Sequence, residues 1–196
     1  ILLTVLAAPP TMAAAPDSTT AKAAGDSTAK PAEKPWKIDA DHGPTHTISF
    51  ATDEATWLDL DVSPDGKRIV FSILGDLYLL PIGGGQATRI TSGPAYDIQP
   101  RFSPDGAWIA FTSDRSGLDN LWICDLTGKK ARAVSGEKKS TVSQPTWMPD
   151  GDYLVGRKRV TDTSSIGTVE LWMWHRKGGD GVQITKGADQ PDAAEV

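Results

Sequence analysis

The sequence predicts an all-β protein: an incomplete β-propeller of about three four-stranded blades that follows a disordered N-terminal segment. The tripeptide Pro-Asp-Gly occurs three times, 40 and then 45 residues apart, at residues 64–66, 104–106 and 149–151. Each copy precedes an apolar run and then an aromatic residue flanked by aliphatic ones, at Tyr78, Trp122 and Trp172. A hydroxyl residue follows each aromatic residue after 13 positions, at Thr91, Ser135 and Thr185. Repeats of about 40–50 residues with several short strands are typical of propeller blades.

Each Pro-Asp-Gly is predicted to form the turn between the first two strands of a blade. Pro fixes φ, Asp tolerates the bridge region beside it, and Gly takes the left-handed conformation from which the next strand starts. Around the first two turns we expect strands at 60–63, 67–72, 101–103 and 107–113. The third and fourth strands of the blades are expected at 77–81, 87–91, 120–125, 131–135, 170–175 and 181–185.

The loop between the second and third strands differs in length from blade to blade. The separation of the turn Gly from the aromatic residue grows from 12 to 16 to 21 residues, whereas the rest of each unit keeps its length. These insertions therefore fall on one face of the propeller, and the longest is expected to begin with the basic run 157–159. Loops on one face commonly carry binding, and a tolerated surface insertion is the alternative.

Composition restricts the function classes. The 196 residues carry 20 basic and 25 acidic side chains, so the net charge of −5 gives no support for a nucleic-acid partner. The single cysteine, Cys124, excludes an internal disulfide and is expected to be buried in a strand rather than to act as a nucleophile.

The domain organisation follows from shifts in composition. Residues 1–15 are predicted to be a residual signal peptide, too short to span a bilayer, and 16–35 a disordered linker rich in Ala, Ser, Thr, Lys and Pro. A lead-in segment, 36–50, precedes blade 1 at 51–98, blade 2 at 99–143 and blade 3 at 144–190. Closed propellers have about four to eight blades, so residues 191–196 are expected to start a missing fourth blade of a longer protein. A periplasmic or secreted location is expected, with no stable membrane span.

Two resemblances narrow the family. Residues 102–106, 109–115 and 121–122 resemble the WD40-like PD40 repeat of TolB-like propellers. Residues 57–66, 74–78, 101–106 and 171–175 resemble the propeller that precedes the catalytic barrel of secreted bacterial amidohydrolases. The third unit departs from the repeat, with Met148 in place of Ser and Gly156 in place of the strand aromatic residue.

The amidohydrolase resemblance implies metal-dependent hydrolysis of amide or related bonds. The metal, a divalent ion such as zinc, and its His and Asp ligands would lie on a barrel beyond Val196. The propeller would shape access to that catalytic domain or dock it. The alternatives are a TolB-like module that binds a cell-envelope protein and the propeller of a serine peptidase of the prolyl-oligopeptidase or tricorn kind.

Within this sequence we predict no catalytic, cofactor-binding or metal-binding residue. His42 and His46 are four residues apart, but the Gly43-Pro44 pair between them excludes the helix that would bring them together on one face. His175 is expected to be a polar residue at a strand end. The Pro-Asp-Gly carboxylates and the serines before them are assigned to turns, and the glycines at 83–85 to a hairpin loop rather than a phosphate loop.

Overall fold

The computed structural model describes residues 38, 40, 43, 44, 46, 48, 50–160 and 168–185. The predicted signal peptide, the linker and the start of a fourth blade lie outside these residues. Twelve β-strands follow one another along the described chain, which contains no α-helix. They are β1 Leu60–Val62, β2 Arg68–Ile73, β3 Asp76–Pro81, β4 Thr88–Arg89, β5 Asp97–Phe102, β6 Trp108–Ser113, β7 Asn120–Asp125, β8 Arg132–Ala133, β9 Thr141–Trp147, β10 Tyr153–Val160, β11 Thr168–His175 and β12 Val182–Gln183.

The strands form three four-stranded antiparallel sheets, in the orders β1-β2-β3-β4, β5-β6-β7-β8 and β9-β10-β11-β12. Each sheet is one blade, so the predicted all-β architecture of about three propeller blades is confirmed for the described residues. The fourth strand of each blade has only two residues and is shorter than the sequence predicted.

The first strands of blades 2 and 3 begin earlier than predicted. β5 starts at Asp97, ahead of the predicted boundary at 99, and β9 starts at Thr141, ahead of 144. The reason is a bulge that lets pairing continue on both sides of a Gln-Pro pair. In β5 the register shifts between Ile98 and Arg101, and Gln99 has a φ of 58°.

The bulge in blade 2 also connects it to blade 3. The side-chain carbonyl of Gln99 accepts a hydrogen bond from the Thr112 hydroxyl at 2.9 Å. It accepts a second, also at 2.9 Å, from the backbone N–H of Gln144, which has a φ of 56°. A left-handed non-glycine residue is strained, and Gln99 is held there by one bond within blade 2 and one to blade 3.

The hydrophobic core lies between the blades rather than within one. One cluster joins blades 1 and 2 and consists of Val70, Leu77, Ile90, Phe102, Ile109, Phe111 and Cys124. A second joins blades 2 and 3 and consists of Ala110, Leu121, Ile123, Val134, Val142, Trp147, Leu154 and Trp174. Alternate residues of one strand face opposite neighbours, so Ile109 packs towards blade 1 and Ala110 towards blade 3. Strands covered on both faces explain the weak alternation of the sequence.

The three Pro-Asp-Gly turns have the predicted conformation. Gly66, Gly106 and Gly151 have φ values of 69°, 67° and 73°. In the second turn the Ser103 hydroxyl donates to the Asp105 carboxylate and accepts the backbone N–H of Trp108 at 2.9 Å. The Ser103 hydrogen bond holds the pKa of Asp105 below its ordinary value. The carboxylates of this motif are therefore turn residues, as predicted.

The repeated hydroxyl residue ties the fourth strand to the third. Its oxygen accepts the backbone N–H of the leucine that precedes the aromatic residue: Thr91 from Leu77 at 2.9 Å, Ser135 from Leu121 at 2.8 Å and Thr185 from Leu171 at 2.9 Å. The leucine and the hydroxyl residue are 14 positions apart in every blade. Their hydrogen bond therefore explains why the aromatic residue and the hydroxyl residue are always 13 positions apart.

Candidate functional site

The described loops lie on two opposite faces of the blades. We call the face with the β2–β3 and β6–β7 loops and the β4–β5 and β8–β9 links the insertion face. These segments meet there: Asp97 N–H donates to the Gly75 carbonyl and Val142 N–H to the Asp119 carbonyl, both at 2.8 Å. The two described loops of variable length, β2–β3 and β6–β7, therefore share one face, as the sequence predicted, and the third lies outside the described residues. The Pro-Asp-Gly turns lie on the other, which we call the turn face.

A groove of about 380 Å³ opens beside blade 1 on the insertion face. We call it the aromatic groove, and it is lined by Thr56, Trp57, Ser72, Ile73, Leu74, Gly75, Tyr96 and Ile98. Three of its large side chains are exposed: Trp57 by 97%, Leu74 by 80% and Tyr96 by 56%. Exposed apolar side chains gathered around a depression are typical of a binding surface.

The floor of the groove is set by a two-residue turn. Leu74 and Gly75 connect β2 to β3 and both have positive φ, 55° and 84°. The tyrosine ring packs on this turn, because a Cβ on Gly75 would lie 2.9 Å from Cδ2 of Tyr96. The backbone N–H of Tyr96 donates to Oδ1 of Asp114 at 2.8 Å. The groove is thus built by segments of blades 1 and 2 that hold each other in place.

Charged residues flank two of the segments that line the groove, and Asp97 among them is buried. Arg115 forms an ion pair with Asp97, and its guanidinium lies over the rings of Phe111 and Trp122, 5.6 and 5.0 Å from their centroids. Burial raises the pKa of the Asp76 carboxyl. The negative charge of Asp97 raises this pKa further, and the positive charge of Arg89 lowers it. One oxygen of each of these two aspartates is buried without a hydrogen-bond partner in the described part of the chain.

A second cavity, of about 260 Å³, lies between blades 2 and 3. Lys158 crosses it, with its Nζ 2.8 Å from Oε1 of Glu137 and 3.9 Å from the ring centroid of Trp172. The ring of Trp172 is stacked with that of Trp174 at 6.2 Å. The ammonium is therefore already engaged by the carboxylate and the indole.

The basic run 157–159 is not a loop, which corrects the sequence prediction. All three residues lie in β10, which extends to Val160. Arg157 donates to the Gln144 side chain at 2.9 Å, and Lys158 pairs with Glu137 as described. The strand is longer than its counterparts because β10 and β11 pair as far as Val160 and Thr168. Arg157 and Lys158 therefore connect β10 to β9 and to the β8–β9 link.

The cysteine and the histidines considered as possible reactive residues lie in different surroundings. Cys124 is buried, and burial raises the pKa of its thiol to about 12. His175 lies at the end of β11, where its ring makes an edge contact with Tyr153 at 5.1 Å. His46 is exposed, while His42 lies outside the described residues.

No group of three or more His, Cys, Asp or Glu side chains that could bind a metal ion occurs in the described part of the chain. No helix among these same residues is long and apolar enough to cross a membrane.

The sequence pattern did not indicate the aromatic groove. Trp57 precedes the repeated positions of blade 1, Tyr96 lies between those of blades 1 and 2, and Leu74 occupies the shortest of the three variable loops. The sequence feature that could have indicated the groove is the pair Leu74-Gly75. A Leu-Gly pair in a tight hairpin, where Asn-Gly is favoured, indicates a side chain placed there for a reason other than turn stability.

Tandem four-stranded blades with exposed loops on one face define a β-propeller domain. The family described as the tricorn protease N-terminal beta propeller domain matches residues 60–186, and the chain belongs to this family.

Relatives and solved structures are consistent with this assignment. The chain is 31% identical to dipeptidyl-peptidase 5 of Porphyromonas gingivalis over 66% of its own length and 21% of that protein. It is 31% identical to a TolB homologue of Chlorobaculum tepidum over 71% of its length and 32% of that protein. The structure of a putative TolB from Agrobacterium tumefaciens superposes with a TM-score of 0.54 at 27% identity, over 62% of this chain and 46% of that one. The matches span 8% to 33% of the lengths of the curated relatives.

Proposed function

We propose that this propeller is a non-catalytic domain of an exported hydrolase that cleaves amide bonds, and that its insertion face shapes access to the catalytic domain or docks it. The observation that carries the proposal is that the potentially reactive side chains serve the fold, while one face carries exposed loops and a groove. The thiol and the turn hydroxyls are held in structural contacts, whereas the two described loops of variable length and the exposed aromatic groove share one face.

The resemblance of residues 57–66 and 171–175 to amidohydrolase-linked propellers favours metal-dependent hydrolysis by a further domain of the same polypeptide. A divalent metal such as zinc would belong to that domain. The apolar run at residues 1–8 and the TolB-like repeat favour a periplasmic or secreted protein.

A serine peptidase is the second candidate for the catalytic domain. It is favoured by the family match to a tricorn protease domain and by the relative named dipeptidyl-peptidase 5. A third candidate is a TolB-like module that binds a cell-envelope protein, favoured by the TolB homologue that aligns with 71% of this chain.

One experiment on the natural full-length polypeptide separates the three candidates. Hydrolysis of a panel of acyl-amino acids and peptide p-nitroanilides is measured with and without a chelator, and a fluorophosphonate probe tests for a reactive serine. Metal-dependent hydrolysis predicts that chelation abolishes turnover, that zinc restores it and that the probe does not label the protein. Labelling with chelator-resistant turnover would contradict the metal-dependent candidate and support the peptidase. Absence of both turnover and labelling would contradict the hydrolase proposal and leave the interaction module.

A further inference from the structure

Two exposed residues at the rim of the aromatic groove, Leu74 and Trp57, have unfavourable backbone conformations. Leu74 occupies the first position of a hairpin turn with positive φ at both residues, where Asn-Gly is preferred. Trp57 also has a positive φ, of 61°. The left-handed conformation is energetically unfavourable for a non-glycine residue. Since both side chains point into solvent, burial within this chain offsets none of that cost.

The groove is already formed before anything binds. Gly75 leaves the space that Tyr96 occupies, and the backbone of Tyr96 is fixed by its hydrogen bond to Asp114 at 2.8 Å. The next N–H along the chain, that of Asp97, is bonded to the Gly75 carbonyl. A site that needs little ordering loses little conformational entropy on binding. Its volume of about 380 Å³ is sufficient for one large apolar side chain and a short stretch of backbone.

The side of the groove next to Tyr96 is negative. Asp114 accepts the tyrosine N–H with one oxygen, and the neighbouring Arg115 is engaged by Asp97 rather than by Asp114. Among the described residues no cation forms an ion pair with Asp114. A positively charged group on a ligand would therefore meet an available carboxylate at this edge.

We propose that the aromatic groove binds an extended peptide segment, with one large apolar side chain between Trp57, Leu74 and Tyr96 and an adjacent Lys or Arg facing Asp114. The choice of a peptide as the ligand rests on the proposed function, because a domain that admits substrates to an amide hydrolase would meet extended peptides. The apolar and acidic character of the groove comes from its own residues.

Binding to the natural full-length polypeptide is measured by fluorescence anisotropy with the labelled tetrapeptide Gly-Phe-Lys-Gly. Replacing its Phe by Ala is expected to weaken binding at least about tenfold, the lower limit for burying a large apolar side chain. Replacing its Lys by Glu is expected to weaken binding as well, and Asp114→Asn should reduce the difference between the Lys and Glu peptides.

Two variants test the groove itself. Leu74→Asn places the preferred residue in the turn and removes the apolar contact, so the melting temperature should be kept or raised while affinity falls at least about fivefold. Trp57→Ala should weaken binding to a similar extent. The matched control is Ile82→Ala, which truncates an exposed aliphatic side chain of the β3–β4 loop on the turn face and should leave affinity unchanged.

The proposal is overturned if the wild-type protein shows no saturable binding of the Phe-Lys peptide, or if Leu74→Asn and Trp57→Ala bind it as the wild type does. Concentration-dependent dimerisation that Leu74→Asn abolishes would also overturn it, because a second copy would then occupy the groove. Peptide binding is measured without turnover. A protein that binds the peptide but hydrolyses no amide would therefore contradict the proposed function and leave this inference standing.

Discussion

At the scale of single residues, the glycines of the Pro-Asp-Gly turns are constrained by their backbone conformation. Gly106 has a φ of 67°, and a Cβ there would lie 3.5 Å from Cδ of Pro64, so space is adequate and conformation decides the outcome. Gly106→Val forces a β-branched residue into the left-handed region and is expected to destabilise by more than about 1 kcal/mol. Urea unfolding measures the loss. The control is Gly83→Val, in an exposed loop where φ is ordinary and nothing lies within 4 Å. Equal melts for wild type and Gly106→Val would contradict the turn assignment.

A second residue-scale prediction concerns pH. Ser103→Ala removes the acceptor for the backbone N–H of Trp108 and the hydrogen bond that lowers the pKa of Asp105. A loss of about 1–3 kcal/mol is expected at neutral pH, since a partly buried donor is left unpaired. Because the folded-state pKa of Asp105 lies below its unfolded value near 3.8, its stabilising effect is present above that value and is lost as pH falls.

The difference in unfolding free energy between wild type and Ser103→Ala should therefore shrink as the pH is lowered from 7 to below about 4. Urea melts across that range measure it. A difference that grows on acidification would mean that the serine does not stabilise the carboxylate form.

At the scale of elements, the hydroxyl that ties the fourth strand to the third is testable by substitution. Ser135 accepts the Leu121 N–H and donates to Oδ1 of Asn120 at 2.7 Å, and both bonds are buried. Ser135→Ala is expected to cost about 1–3 kcal/mol in thermal or urea unfolding. Ser135→Thr is the control, because Thr occupies the same position in blades 1 and 3 and keeps the hydroxyl. Equal destabilisation by both variants would show that the site responds to packing rather than to the hydrogen bonds.

The sequence predicted most strands because their signals are local. Pro-Asp-Gly fixes a turn wherever it occurs between two apolar runs, and the aromatic residue and the hydroxyl residue bracket the third and fourth strands. The early starts of β5 and β9 were missed because a proline usually ends a strand. Here the bulge at Gln99 lets pairing resume after Pro100. The strand position of residues 157–159 was missed because three basic residues in a row read as a loop.

The aromatic groove could not be predicted for a different reason. It joins segments 56–57, 72–75 and 96–98, which are distant in the sequence and meet only when blades 1 and 2 pack. Contacts that depend on how neighbouring blades pack leave no periodic signal in a single repeat.

At the scale of the whole molecule, equivalent residues of different blades are buried to different extents. Leu121 of blade 2 is fully buried against blade 3, whereas Leu171, its counterpart in blade 3, is 39% exposed. Blade 3 therefore exposes an apolar side chain at a position that the neighbouring blade covers in blade 2. A polypeptide of residues 36–196 is expected to self-associate through this face of blade 3.

Sedimentation velocity tests this expectation. Leu171→Gln should shift the species distribution towards monomer, and Ile82→Gln, an equally polar change on an exposed loop residue, should not. A monodisperse, cooperatively melting wild-type monomer would mean that this face needs no partner.

We propose that this propeller binds and admits ligands and that the chemistry belongs to another domain. The most direct test of this proposal compares hydrolysis of one panel of amide substrates, with added zinc, by the natural full-length polypeptide and by residues 36–196 alone. We predict turnover by the full-length polypeptide and none by the propeller, because the Cys124 thiol has a pKa of about 12 and the turn serines are held in hydrogen bonds of their own turns. Turnover by the isolated propeller that His46→Ala or Cys124→Ser abolishes would contradict the account.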